Sequence, residues 1–518
     1  MKIFNNNLKK YDFDMKPIKL FDSFAGIGAL HQALKELGVP IELIGMSEID
    51  IDAIISYGSI HNLINKSLNL PSEDEMRQYL IDRNIGYDFK TNKSKIPKLK
   101  KDKLEKCYKV CVIGNNYGDI SKIKYEDIKD FDLFNFSFPC TDISIAGKQK
   151  GMTDINGNKT SSGLYINGIE LIKIKKPKYI MIENVKNLIS KKFINDFNSL
   201  INELKALGYK CYYPTKNGKP KCLNAKDYGI PQNRERIFII CVRNDIKLNF
   251  EFPKEFDNGL RLKDLLEDEV DKKYYLSKEI QDRFKRNNNE DINRNELNIM
   301  GTTAPEFRTI GERDITYGIN GVISTLTATD YKQPKQILEL NKDNSNKEIS
   351  TLNNESESIS KNSFIDKYDR IQLFETKENY IQWDTSGKGN NSQQDRAYYQ
   401  DKLCPTLSCC NSNGDKSQVI LENKENIEQL NKSNKMQDNK KEFLEILNHN
   451  KNVTNSFKIR KLTPKECWRL MGFGDECFNE AKEQGISDTQ LYKQAGNSIV
   501  VNVLYYIFLE IFKNKLKY

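Results

Sequence analysis

The stretch IKLFDSFAGIGALHQALKELG, residues 18–38, decides the fold. Its first part, up to Gly26, is an apolar run closed by glycine and reads as a β-strand ending in a tight turn. From Ala29 the apolar residues recur at helical spacing and stop at Gly38, the residue expected in a left-handed helix C-cap. Strand, glycine turn and helix in that order open an alternating α/β domain. The pattern repeats outward. IELIGMSEID predicts a second strand and IDAIISYGSIHNLI a second helix. KYIMIENV and RIFIICVR predict two more strands, separated by the amphipathic FINDFNSLINELKALGY. Short apolar strands alternating with helices predict a parallel sheet covered on both faces.

The chain has 518 residues, 38% hydrophobic and 30% charged, which fits a globular protein with polar additions. The apolar run IVVNVLYYIFLEIF reads as too short and too interrupted to span a bilayer, and the N-terminus carries no apolar signal core. A cytoplasmic chain without a membrane partner is therefore expected. The 11 cysteines include no CxxC pair and there are only 3 histidines, so reduced thiols and no metal are expected. Lys and Arg number 81 against 72 acids, a net +9 that permits a polyanionic partner without requiring one.

Three regions are expected. Residues 14–243 form the α/β domain, with a Lys-rich insert at 66–114 (KTNKSKIPKLKKDKLEK within it) that reads as a helical hairpin or a loose loop. Residues 244–485 lose helical periodicity and gain Gly, Thr, Asn and Tyr, the texture of a mostly β, irregular domain. Within it, 311–338 and 393–421 resemble each other: each has an Arg, a Tyr, a Thr-Leu pair (Thr325-Leu326, Thr406-Leu407), a polar loop, a Gln and an aliphatic end. A duplicated β-rich unit, spanning 298–338 and 380–421, accounts for this, and chance similarity of two Thr-rich loops is the other reading. The segments after each copy are polar and of low complexity, the composition of linkers. LTPKECWRLMGF predicts a capping box from Thr463 and Glu466 with Pro464 at N1, and a helix ended by Gly472. QAGNSIVVNVLYYIFLEIF reads as a Gly-Asn-Ser turn and then an apolar, buried helix, so 486–518 is expected to return to the first domain.

Candidate chemistry gathers at predicted strand ends. The turn after the first strand offers free N–H groups at a helix N-terminus, although His31 stands where a dinucleotide fingerprint has its third glycine. Glu48 closes the second strand, where this architecture grips a ribose, and Asp119 in YGDI is read as closing a third. Together the three points favour an adenosine-containing ligand. In FNFSFPCTDIS, Cys140 follows Pro139 and so lies on a turn; it is either inert packing or a nucleophile acting as its thiolate. Glu183 ends IMIENV, where partial burial raises a carboxyl pKa and lets it carry a proton. Arg234 and Arg236 flank Glu235 and point the same way, toward a phosphate, a ring or an ion-pair partner.

Taken in order, these segments resemble the C5-cytosine DNA methyltransferase family. The resemblance rests on DSFAGIGALHQAL, FPCTDISIAGKQKGM, IENVKNL, DYGIPQNRERIFIICVR, RKLTPKECWRLMGF and YKQAGNSIVVNVL, six motifs in order covering both ends of the chain. It implies a Rossmann-like domain that uses S-adenosylmethionine, and a variable target-recognition region between the motifs. It implies that Phe24, Gly26 and Gly28 line the donor, Glu48 holds its ribose, Asp119 its adenine amino group, and Asn497 and Ser498 close the pocket. It implies Cys140 as nucleophile on cytosine C6, Glu183 at N3 and the amino group, Arg236 on the base, and Arg234, Thr141 and Ser144 near the flipped nucleotide. Ile49 and Thr141 depart from the family's usual aromatic and Gln; neither departure removes a catalytic group. The implied partners are double-stranded DNA and a restriction endonuclease of the same site, unless the enzyme is solitary; a monomer is expected. Three other readings remain: an adenine amino-methyltransferase, whose (Asp/Asn/Ser)-Pro-Pro-(Tyr/Phe) sequence does not occur here; an RNA-directed relative; and a catalytically silent DNA-binding protein.

Overall fold

The structure is a computed structural model that describes residues 8–89, 91–139, 164–283, 285–286, 297–304, 314–340, 372–375, 380–384, 396–399, 419–421 and 457–517. The chain forms two compact units, one of Met1–Glu339 with Lys458–Tyr518 and one of Leu340–Phe457.

The first unit is built on a seven-stranded sheet. Its strands are β1 (Ile18–Ser23), β2 (Ile41–Ser47), β3 (Leu133–Phe136), β4 (Tyr179–Val185), β5 (Tyr209–Tyr212), β6 (Leu223–Asn224) and β7 (Glu235–Arg243). They lie in the order β6-β7-β4-β3-β1-β2, with β5 also paired to β7. β1 to β4 run parallel. β7, expected to join a parallel sheet, runs antiparallel to β4, β5 and β6. A fully buried strand is an unbroken apolar run whichever way it points, so hydrophobicity gave no sign of direction.

Both faces are covered, as the alternation along each strand requires. Leu20, Met181 and Ile240 enter one core with α1 (Ala29–Leu37), α2 (Ile51–Ile60) and the C-terminal helix. Phe21, Ile180, Ile182, Ile239 and Cys241 enter a second core with the helices Tyr165–Lys175 and Ile194–Ala206. Gly38 ends α1 in the left-handed conformation, φ 91°, its N–H closing on Leu34 and Lys35 carbonyls.

The Lys-rich insert is neither loose nor peripheral throughout. It folds as α3 (Glu73–Asp82), a short hairpin of Tyr87–Asp88 with Lys93–Ser94, and α4 (Lys101–Ile113). α3 is capped by a Ser72–Glu75 box. Leu104, Cys107, Val110 and Cys111 turn one face of α4 into the core, where Val110 leaves no room for a side chain at Gly58 of α2.

A five-stranded sheet follows, in the order Lys285–Arg286, Ile299–Thr302, Ile315–Gly318, Gln336–Leu340, Phe457–Lys461. The second unit holds a four-stranded sheet, Gln372–Glu375, Tyr380–Asp384, Arg396–Tyr399, Val419–Leu421. The first three pairings of the one, antiparallel, antiparallel and parallel, repeat in the other.

The C-terminal helices are α5 (Pro464–Arg469), α6 (Asp475–Glu483), α7 (Asp488–Asn497) and α8 (Val501–Phe512). The Thr463–Glu466 capping box forms as expected. Glu466 also takes both arms of the buried Arg460 guanidinium at 2.8 Å. Gly496 and Asn497 finish α7 rather than forming a turn; the break comes at Ser498, in extended backbone. α8 is almost wholly buried and packs on α1. Residues 488–515 together are long and apolar enough to cross a membrane, contrary to the reading from the apolar run alone, but 72% of the most apolar window is buried inside the protein.

Candidate active site

The C-terminal ends of β1 to β4 lie along one edge of the sheet, where open α/β sheets place their ligands. At the end of β1 the chain turns through Phe24 (φ 52°), Gly26 (φ 55°) and Gly28 (φ 80°) into α1. A Cβ on Gly26 would meet nothing within 4 Å, whereas one on Gly28 would sit 2.3 Å from His61 Nε2 and 2.7 Å from the Tyr57 ring. Gly26 therefore faces open space and Gly28 is packed.

Glu48, one residue past β2, comes directly to this turn. Its Oε2 accepts from the Gly26 N–H at 2.9 Å, and its Oε1 from the N–H groups of Ile49 and Asp50 at 2.7 and 2.8 Å. Burial raises its pKa against the opposing pull of these amides. Asp119 lies beside it, though not at the end of a strand: the expected third strand shrinks to one bridge, Met46 with Asn116. Asp119 caps a 3-10 turn, accepting from Ser121 N–H and hydroxyl at 3.0 and 2.7 Å and from Asn84 Nδ2 at 2.9 Å. Asn116 ties Glu48 to Gly118, the residue before Asp119. Its amide accepts from the N–H of Glu48 (3.1 Å) and Gly118 (3.0 Å) and donates to the Glu48 carbonyl (3.0 Å).

Below the turn is a buried polar cluster. Asp22 accepts from Asn135 Nδ2 at 2.6 Å, and burial raises its pKa to about 7. His31 Nδ1 lies 2.9 Å from Tyr57 Oη, and its ring stacks on His61 at 3.9 Å. Burial lowers the His31 pKa to about 3, so the ring is neutral. His31, which departs from the dinucleotide fingerprint, is thus a packing residue of α1.

Farther along the edge, Glu183 near the end of β4 pairs with Arg236 of β7, Nε to Oε1 3.0 Å. Register explains the pair: Glu183 stands opposite Phe238, and Arg236, two residues away, shares that face. Burial raises the Glu183 pKa, with Arg236 and then Arg234 pulling it down. The next residue, Asn184, is buried and donates from Nδ2 to the Phe138 carbonyl at 3.4 Å. It ties β4 to the segment that leads into Pro139. Cys140, Thr141 and Ser144 lie outside the described residues.

Arg234 is on the same side but 3% exposed. Its guanidinium donates to the carbonyls of Leu326 (2.8 Å), Gly496 (3.1 Å) and Ser498 (2.7 Å). Leu326 N–H also donates to Gln232 at 3.0 Å, and Thr325 Oγ1 to the Asn233 carbonyl at 2.6 Å. The strands Gln232–Asn233 and Ile323–Ser324 pair parallel beside it. The expected site residues Ser498 and Arg234 are thus brought together, with Asn497 exposed next to them.

The chain matches the family model described as "C-5 cytosine-specific DNA methylase" over residues 92–348 and 312–513. It is 30% identical over 507 residues to the type II methyltransferase M2.ScrFI of Lactococcus lactis subsp. cremoris, covering 96% of this chain and 100% of that one. It is 28% identical to the orphan methyltransferase M.SPRI of Bacillus phage SPR over 96% of this chain and 98% of the relative. The chain belongs to the C-5 cytosine-specific DNA methylases. A more local match, 38% over 181 residues, covering 32% of this chain and 52% of the relative, joins it to the type II methyltransferase M.HhaI of Haemophilus parahaemolyticus.

Such C-5 cytosine methylases depend on S-adenosylmethionine, and the donor set at the β1 and β2 ends suits it. An open glycine turn, a carboxylate fixed beside it and a second carboxylate with lone pairs to spare match a ligand that presents ribose hydroxyls and an adenine amino group. Among the described residues no group of three or more His, Cys, Asp or Glu could hold a metal. Sequence reading missed Asn84, Asn116 and Lys493, whose ammonium lies 2.8 Å from Asp50, the N-cap of α2. Only Asn116 left a signal, as part of NNYGD just before the expected acid.

Proposed function

We propose that this methylase transfers the methyl group to C5 of a cytosine flipped out of duplex DNA, through a covalent adduct between Cys140 and C6. The observation that carries the reading is the Glu183–Arg236 pair at the sheet edge, with Asn184 holding Phe138, two residues before Cys140. C5 of cytosine is too weak a nucleophile to take a methyl group unaided. Addition of the Cys140 thiolate to C6 breaks the 5,6 double bond and gives C5 enamine character. Glu183, its pKa raised by burial, offers a proton or hydrogen bond at N3 as charge develops there. Arg236 positions the base, and Arg234 steadies the recognition segment around it, with Thr141 and Ser144 near the flipped nucleotide. S-adenosylmethionine, when bound, supplies an electrophilic sulfonium methyl. Loss of the C5 proton and expulsion of the thiolate then restore the ring. Extrusion of the base costs a few kcal/mol, offset by protein contacts.

Phe24, Gly26 and Gly28 would line the donor, Glu48 would hold its ribose, Asp119 its adenine amino group, and Asn497 with Ser498 would close the pocket. Residues 14–243 and 486–518 are assigned to catalysis and 244–485 to recognition. The repeated strand pattern supports two similar units within the latter. The enzyme is proposed to act as a cytoplasmic monomer on duplex DNA, in a restriction–modification pair or alone.

Duplex DNA carrying 5-fluorocytosine tests the mechanism, because fluorine cannot leave C5 as the proton does. A denaturation-resistant protein–DNA adduct is expected with the natural chain and none with Cys140→Ser. An equal adduct yield from both would refute the assignment of the nucleophile. Bisulfite sequencing of host DNA gives the methylated sequence directly.

A further inference from the structure

We propose that the hairpin at residues 87–94 and the lysine-rich turn behind it bind the phosphates of duplex DNA at a second, sequence-independent place, outside the target site. The inference rests on the chain acting on DNA. It concerns a region to which the catalytic reading assigns no role.

The first observation is position. The hairpin is rooted where Gly86 N–H donates to the Ile49 carbonyl at 2.8 Å and Lys95 N–H to the Gly86 carbonyl at 3.0 Å. Ile49 lies two residues past the end of β2, and β1 to β4 are parallel, so the hairpin rises from the edge that carries Gly26, Glu48 and Glu183. β2 is the outermost strand on that side of the sheet, so the hairpin stands at the flank of the site.

The second observation is rigidity. Ile96 is fully buried behind the hairpin, and Arg77 donates to the carbonyls of Ile96 (2.5 Å) and Leu99 (3.0 Å). Gly86 has φ 70°, and a Cβ there would meet Ile51 Cδ1 at 2.6 Å. The lysines are presented from a fixed base.

The third is charge without partners. Residues 87–101 contain six lysines against one acid, Asp88, a local net charge of +5. Lys93, Lys95, Lys98 and Lys100 are exposed, and none makes an ion pair among the described residues. Three of the four lysines on α4 do: Lys101 with Glu73 and Glu105, Lys103 with Asp52, Lys106 with Asp102. An ordinary solvated basic face would be laced with acids in the way α4 is. At the hairpin tip Phe89 is 62% exposed against Tyr87, an apolar surface that can lie on a sugar edge.

The test is the full-length variant K93Q/K95Q/K98Q/K100Q, with the four-arginine variant as a control that keeps the charge. Each phosphate left without its cation lowers the slope of log affinity against log salt by about 0.9, so the glutamine variant should lose up to ~3.6 from that slope. Its KM for a duplex of several hundred base pairs should rise about 10-fold near physiological salt, a change within the range that phosphate neutralisation supplies. On a short duplex covering only the target, kcat and KM should be unchanged, as should donor affinity and the methylated sequence. The arginine variant should match the natural chain. An unchanged salt slope overturns the proposal, and so does an equal loss on short and long DNA. A natural chain that methylates no duplex at all would instead sink the function reading on which it rests.

Discussion

Two glutamates stand at strand ends on the same edge of the sheet, and they are held in opposite ways. Glu48 is gripped by the backbone: three N–H groups, from Gly26, Ile49 and Asp50, occupy its oxygens. Glu183 is gripped by a side chain, Arg236, reaching across from the next strand. Burial raises both pKa values, but what opposes it differs, fixed amide dipoles in one case and guanidinium charges in the other. A carboxylate held by amides is set by the fold before any ligand arrives, which suits a group that must only accept hydrogen bonds. A carboxyl balanced against an arginine can rearrange and gain a proton, as the role proposed for Glu183 requires. On the proposed roles, the Glu48 corner is built for affinity and the Glu183 corner for turnover.

The comparison can be broken at either end. Glu183→Gln should lower kcat about 10²–10³-fold, the scale for removing one group that stabilises developing charge, while donor affinity measured by calorimetry stays unchanged. A donor affinity that falls with it would erase the distinction. Glu48→Gln turns one acceptor oxygen into an NH₂ facing backbone donors, and should raise the donor Kd about 10–100-fold, the equivalent of 1–3 kcal/mol, with kcat at saturating donor largely retained.

Two smaller effects sharpen the donor corner. Asp22 has its pKa raised from 3.8 to about 7. A carboxyl with a raised folded pKa contributes stability when protonated and loses it as pH rises through the window between those values. Asp22→Asn should therefore unfold like the natural chain near pH 4 and be more stable at pH 8, by up to ~4 kcal/mol, read from denaturant melts at both. Equal stability at both pH values would mean that Asp22 is not buried as a charge-averse group. Asn84→Ala removes one of the hydrogen bonds on Asp119 and should raise donor Kd about 5-fold, close to 1 kcal/mol, with KM for DNA unmoved.

Sequence made the ends of strands legible because glycine turns, caps and closing acids are local. Gly26 and Glu48 were both visible, and so was the alternation that sets Arg236 on the face of Glu183. Strand direction was not: RIFIICVR reads the same whichever way it runs, and β7 runs antiparallel. The Lys-rich insert hid a core helix because lysines between Leu104, Cys107 and Cys111 mask an apolar face that only packing on α2 discloses. Asp119 does not end a strand: the chain makes a single bridge at Asn116, and the Asn84 amide and Ser121 hold the Asp119 carboxylate. Arg234 was expected to face a phosphate, a ring or an ion-pair partner; instead the carbonyls that take its guanidinium come from residues 326, 496 and 498, separations no local pattern reports.

A Cβ on Gly496 would fall 2.2 Å from the carbonyl carbon of Thr327, so α7 and that loop meet backbone to backbone. Anyone wishing to give this enzyme a new target by transplanting segments inherits a boundary condition. The exchanged piece must leave residues 323–330 untouched, since even an alanine at position 496 would wedge the joint apart, and chimeras cut inside that loop should lose activity on every sequence rather than acquire a new one.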